Sequence, residues 1–195
     1  LSQPFNTSPW NYNGSEAVTS IPANVVDWVL IELRDASDVS NADEGTVVET
    51  RAAFLLNDGK ICDLNGVSIL QCTVSYDEKL YPVVIHRNHL AVISATRLVR
   101  DNDNYSYDFT VSGAAYGGAA GQKELSAGVW GMYGGDVSGS NVVSQYDINI
   151  WEMSAGTSDY SGNDMNMDGQ TDNSDKNDLA IPNLGKSSQV PGAKK

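Results

Sequence analysis

The sequence predicts a mostly β chain: an antiparallel sandwich over its first two thirds, then a small C-terminal unit built on two acidic loops. Three observations predict it. Between residues 25 and 111 the apolar positions recur with a period of two, not 3.6, and turn signals return about every 8–12 residues. Beyond residue 128 the pattern changes to loop followed by short helix, twice. The two loops, beginning at Asp136 and Asp164, share one register of oxygen-bearing side chains 28 residues apart.

The elements follow in chain order. Residues 1–20 contain Pro4 and Pro9, with Pro22 just beyond, and few aliphatics, which predicts an extended arm. Residues 25–34 are β-branched and apolar on both faces, the pattern of a central strand buried on two sides. Residues 46–56 form the next strand, closed by the turn Asn57-Asp58-Gly59. Residues 60–63 and 68–75 read as a hairpin about Asp63-Leu64-Asn65-Gly66. Cys62 and Cys72 flank that turn. They are either a cross-strand disulfide or two thiols that never meet, and spacing does not decide between them. Strands at 80–86 and 90–94 follow, with a bend at Arg87-Asn88, and 105–111 closes the set. Seven or so short strands of this kind suggest an immunoglobulin-like sandwich. The Gly- and Ala-rich stretch 112–128 leads into the second unit, dividing the chain into 1–128 and 129–195.

Composition narrows the function classes. A net charge of −13 opposes binding to nucleic acid, which needs clustered Lys and Arg. No run of eighteen apolar residues is present to span a membrane. Eighteen glycines, nine tyrosines and four tryptophans fit a secreted β-rich protein. Leu1 in place of Met suggests a processed or trimmed N-terminus.

The acidic loops carry the most specific pattern. Counting Asp164 as position one, oxygen-bearing side chains fall at one, three, five, nine and twelve: Asp164, Asn166, Asp168, Asp172 and Asp175. Gly169 occupies position six, where the chain turns sharply, and Gln170 position seven, where the main-chain carbonyl is the ligand. Ca²⁺ takes six to eight oxygens, and this alternation aims every second residue inward. Position twelve is Asp, not the Glu of an EF-hand, and its shorter arm reaches less far. The first loop repeats the register with Asp136, Ser138, Ser140, Val142, Ser144 and Asp147, and places Asn141 at position six. It has two carboxylates against four, so the second loop is expected to bind first and more tightly, and the first is either a weakly filled or a metal-free copy.

A short helix is predicted after each loop. The first starts at the N-cap Ser144, with Tyr146, Ile150 and Met153 on one face. The second covers 174–179 and ends near Pro182 and Gly185. Loop plus one helix, given twice, resembles the dockerin arrangement more than a paired EF-hand. Longer segments extend the likeness: residues 1–12, 26–35, His86-Arg-Asn-His-Leu90, 163–178 and 182–191. Together they resemble a secreted C-terminal module common in Bacteroidetes-type bacteria, in which a β-sandwich precedes a dockerin-like calcium repeat on large surface or secreted proteins. That resemblance implies an extracellular or cell-surface location and no catalytic activity. It carries the calcium positions onto Asp164, Asn166, Asp168, Gln170, Asp172 and Asp175. The first loop departs from it at Ser138, Ser140 and Asn141. Such modules carry a further strand upstream of Leu1. A sheet lacking that strand would offer an edge to another copy, so a homo-oligomer or filament built by strand or tail docking is expected. A cohesin-like protein or a glycan is the alternative partner.

Catalysis is not expected. The sequence has no nucleophile elbow, HExxH or phosphate-cradling glycine loop. Asp27, Glu32, Asp35, Glu44 and Glu49 show no spacing that singles out a catalytic pair, and read as surface charge. Trp28 and Trp151 read as core residues, as large aromatics usually are. On a continuous strand His86 and His89 would face opposite ways, whereas a bend between them would bring them together; a structural role is favoured for both.

Overall fold

A computed structural model describes residues 1–102, 104–158 and 160–193. The fold is mostly β, with its principal sheet antiparallel. Strands β1 (Val25–Asp35), β2 (Val47–Leu56), β3 (Ile61–Cys62), β4 (Leu80–His86) and β5 (His89–Ile93) form one sheet in the order β3-β2-β1-β4-β5. β1 lies at its centre because consecutive residues, Trp28 to Ile31, are apolar and all are buried. β6 (Val99–Asp101) pairs with β7 (Asn104–Ser106), and β8 (Lys123–Ser126) with β9 (Val129–Gly131), as separate two-stranded ladders.

Register assigns the two faces of the main sheet. Trp28 lies opposite Phe54, and Leu30 lies between Ala52 and Ile85. This face is covered in halves. The N-terminal arm covers one, with Phe5 fully buried against Trp28 and Phe54 and Trp10 and Tyr12 packed beside it. Val39, Ala42 and the tail residue Val190 cover the other, over Tyr81, Val83 and Ile93. Both arm and tail therefore fold back onto the sheet of their own chain. On the opposite face Val29, Ile31, Ala53, Val84 and Val92 are covered by Leu70, Phe109, Ala115 and Met132 from the long connections.

Three strand expectations are corrected. Residues 68–75 form no strand; β3 pairs instead with β2, Phe54 opposite Cys62, so the hairpin turns at Asn57-Asp58-Gly59. In 105–111 only Tyr105 and Ser106 are strand, because the chain then leaves the ladder so that Phe109 can cap the sheet. The stretch 112–128, expected as a linker, contains β8. Cys62 and Cys72 are both free thiols.

The C-terminal part has helix α1 (Gln145–Glu152) and a π-type helical turn, Asp175–Ala180, that runs on into a 3-10 turn, Ile181–Asn183. Ser144 caps α1 as expected, in a reciprocal capping box with Asp147. The buried face of α1 is not the expected one. Tyr146 and Met153 are 63% and 81% exposed, while Ile148 and Trp151 pack against Met165 and Ala180. The cause is Asp147: its carboxylate must turn back into the loop, and Ile148 and Trp151 lie on the same side of the helix as Asp147.

The arm contributes the covering layer of half the sheet through one fully buried ring. Phe5→Ala should therefore destabilise the chain by about 3–5 kcal/mol in urea unfolding.

Candidate functional site

The two loops have the same local architecture. In each, the first aspartate accepts main-chain N–H groups at positions five and six: Asp136 from Ser140 and Asn141, Asp164 from Asp168 and Gly169. The last aspartate accepts from positions three and nine: Asp147 from Ser138 and Ser144, Asp175 from Asn166 and Asp172. The chain takes positive φ at positions four and six of both, at Gly139 (65°) and Asn141 (64°), and at Met167 (63°) and Gly169 (88°). Position six therefore favours glycine or asparagine, the types present there, although position four of the second loop holds Met167 in the same region. Gly139 is also a close approach: a Cβ there would lie 2.5 Å from Pro9 Cγ, so the N-terminal arm rests on the first loop.

Position eight of each loop makes a two-bond ladder with the exit of the other loop's helix. Val143 donates to Lys186 O (2.9 Å) and accepts from Gly185 N (2.8 Å). Thr171 donates to Thr157 O (2.9 Å) and accepts from Gly156 N (2.7 Å). The two halves are thus crossed, each loop fastened to the end of the other's helix.

The expected ligand residues divide into two groups. Asp136, Asp147, Asp164 and Asp175 are buried and turned inward. In the first loop Ser138 Oγ donates to Asp147 (2.7 Å), and Ser140 Oγ to the Val142 carbonyl (3.1 Å). In the second loop Asn166 and Asp168 are exposed and bonded to each other (3.0 Å). Asp168 also accepts from Gln170 N, and Asp172 turns to Ser174 N at the start of the helical turn. Among the described residues no three His, Cys, Asp or Glu side chains are grouped so as to hold a metal ion. The donors turned inward are a pair of carboxylates in each loop, joined in the first by the Ser138 hydroxyl, oxygens of the hard type that Ca²⁺ takes.

Electrostatics sharpens that fit. Burial, reinforced by the charge of Asp147, pushes the Asp136 carboxyl up to about 6. Burial likewise raises Asp164, helped by Asp175 and Asp168 and opposed by the Gly169 and Asp168 amides. No ion pair reaches these four aspartates among the described residues. Two carboxylates buried side by side favour either a proton or a cation between them.

A second polar cluster joins the loops to the sheet, and sequence reasoning caught only its edges. The bend expected at Arg87-Asn88 is the β4–β5 turn, and it brings His86 and His89 together, Nδ1 to Nδ1 at 3.2 Å. Asp27, from β1, is buried and receives Arg87 Nε (2.8 Å), lies 3.1 Å from His86 Nε2, and accepts from the Tyr160 hydroxyl. Burial alone would raise the Asp27 carboxyl, but His86, Arg87 and Tyr160 outweigh it and hold it well below the usual carboxylate range. Burial, then the neighbouring His86, pushes His89 down to about 3. Arg87 also donates to Ser161 O and stacks 4.0 Å over the Tyr160 ring. Asn88 bonds both loops at their first residues. Of the other acids, Glu32 is engaged by Arg34 at 2.7 Å. A cleft of about 590 Å³ lies between arm, sheet and first loop, bordered by Trp10, Glu32, Ile85, His89, Asp136 and Asn141. No helix is long and apolar enough to cross a membrane among the described residues.

No protein-family model, curated protein or solved structure matches the chain.

The Asp136 shift has a definite sign. Its carboxyl is raised in the fold, so it contributes stability at pH below about 4 that is lost as pH rises through about 6. In metal-free protein the stability of the native chain relative to Asp136→Asn should fall by about 3 kcal/mol between about pH 4 and pH 7, as read from paired urea titrations.

Proposed function

We propose that this chain is a non-catalytic, calcium-stabilised structural module of a secreted or cell-surface protein. In this reading a sandwich-type β unit and a dockerin-like calcium unit are locked together by the ions. The observation that carries it is the matched pair of loops, each holding two buried aspartates with no cation among the described residues to balance them. Asp164, Asn166, Asp168, Asp172 and Asp175, with the Gln170 carbonyl, would hold the ion in the second loop. Asp136, Ser138, Ser140, Ser144 and Asp147, with the Val142 carbonyl, would hold it in the first. Calcium neutralises the facing carboxylates, and its binding energy adds to folding energy by linkage. The likeness to the secreted Bacteroidetes-type module, and the millimolar calcium of an extracellular setting, in which even weak sites fill, support the location. Assembly of copies by strand or tail docking is part of this reading; within one chain the arm and the tail each cover half of one face of the sheet.

Tyr146 and Met153 favour a second reading, a dockerin-type module that binds a protein partner. They are exposed apolar residues seven positions apart, on the outer side of α1.

Calcium uptake should be measurable by titration calorimetry on the metal-stripped chain. EDTA should lower Tm and open residues 129–193 to protease, and Asp175→Asn should abolish most of that response. No uptake at millimolar calcium would overturn the calcium reading. For the second reading, a pull-down from the host secretome should retain a partner that Tyr146→Ser/Met153→Ser loses. Equal capture by both proteins would overturn it.

A further inference from the structure

We propose that Asn88 couples the two loops, so that calcium held in one raises the affinity of the other; this rests on the calcium reading above. Asn88 is at the tip of the β4–β5 hairpin and has no exposed surface. Its carbonyl oxygen accepts from Gly135 N (2.9 Å) and from Asp136 N (3.1 Å), the first residue of the first loop. Its Nδ2 donates to Gly162 O (3.0 Å) and to Asp164 O (2.8 Å), the first residue of the second loop. Its Oδ1 lies 2.7 Å from His89 Nδ1. One side chain and its own peptide group therefore hold the opening residue of both loops, while β4 and β5 hold Asn88 itself.

Burial makes this junction all-or-none. A buried amide that loses a partner cannot replace it with water, so a shift of Asp136 or Asp164 is felt at Asn88. The crossed ladders supply the return path: Val143 fastens the exit at Gly185, and Thr171 the exit at Gly156. Ordering one loop thus fixes the opening and the exit of the other, and the ordering cost falls mainly on the first ion. By linkage the effect is reciprocal.

Calorimetric calcium titrations on the full chain test this, using Asp147→Ala and Asp175→Ala to disable one loop at a time, with and without Asn88→Ala. With Asn88 present, disabling one loop should weaken the other about tenfold. With Asn88→Ala both ions should still bind, and disabling one loop should weaken the other by only about threefold, the part carried by the crossed ladders. Two ions bound independently by the native chain, or undiminished coupling in Asn88→Ala, would overturn the coupling alone. No uptake by the native chain would overturn the calcium reading with it. Hydrogen exchange on the Asp147→Ala chain keeps the test open should Asn88→Ala not fold. Calcium filling the second loop should slow exchange of the Asp136 and Asn141 amides in the disabled first loop. Unchanged rates there would overturn the proposal.

Discussion

A buried hairpin tip is the constraint on which the rest of this structure depends. The β4–β5 turn carries Arg87 and Asn88 into the interior, where each charge and each amide must find a protein partner. Asp27, on the neighbouring strand, answers Arg87 and His86. The segment before the second loop answers through Tyr160 and Ser161. The first loop answers through the Gly135 and Asp136 amides. Both acidic loops are therefore placed relative to one turn of the sheet. A buried ion pair of this kind contributes little net energy against an apolar substitute, yet losing one partner is costly. Its effect is to select one arrangement of the C-terminal part.

The loops show a different balance. Their aspartates are satisfied by main-chain amides, which draws the loop closed, but the amides supply no net charge against the two carboxylates. The rise in the Asp136 and Asp164 carboxyls expresses that tension. The first loop relieves it partly with Ser138, whose hydroxyl donates directly to Asp147. The second loop has Asn166 in the corresponding position, facing outward to Asp168. Even so, the Asp136 carboxyl in the first loop is the one pushed up to about 6, so a single hydroxyl does not remove the strain of two buried carboxylates.

Sequence reasoning succeeded where the signal was local. Doubly apolar β1, the limits of β4, the Ser144 cap and the loop register were all legible, because each is set by neighbours a few residues away. It failed where a distant contact outweighed the local pattern. Residues 68–75 have strand-like composition, but β3 takes its partner from β2 across a shorter turn. Tyr146, Ile150 and Met153 have helical spacing, but the inward demand of Asp147 rotates α1 and leaves Tyr146 and Met153 in solvent. Asn88 stood out only as part of a bend, since nothing in its neighbours marks a residue that will bond two loops.

By itself, then, the sequence determined the period of each strand, the turns of the two acidic loops and the donor chemistry they present. Those properties depend on φ, ψ and side-chain spacing within about a dozen residues. Only the tertiary structure decided which face α1 buries, what covers each half of the sheet, and that Asp27 meets Tyr160 across 133 residues. Such contacts arise because a charge taken out of water must be met by whatever partner the packed chain brings to it, and no periodicity in the sequence records that partner.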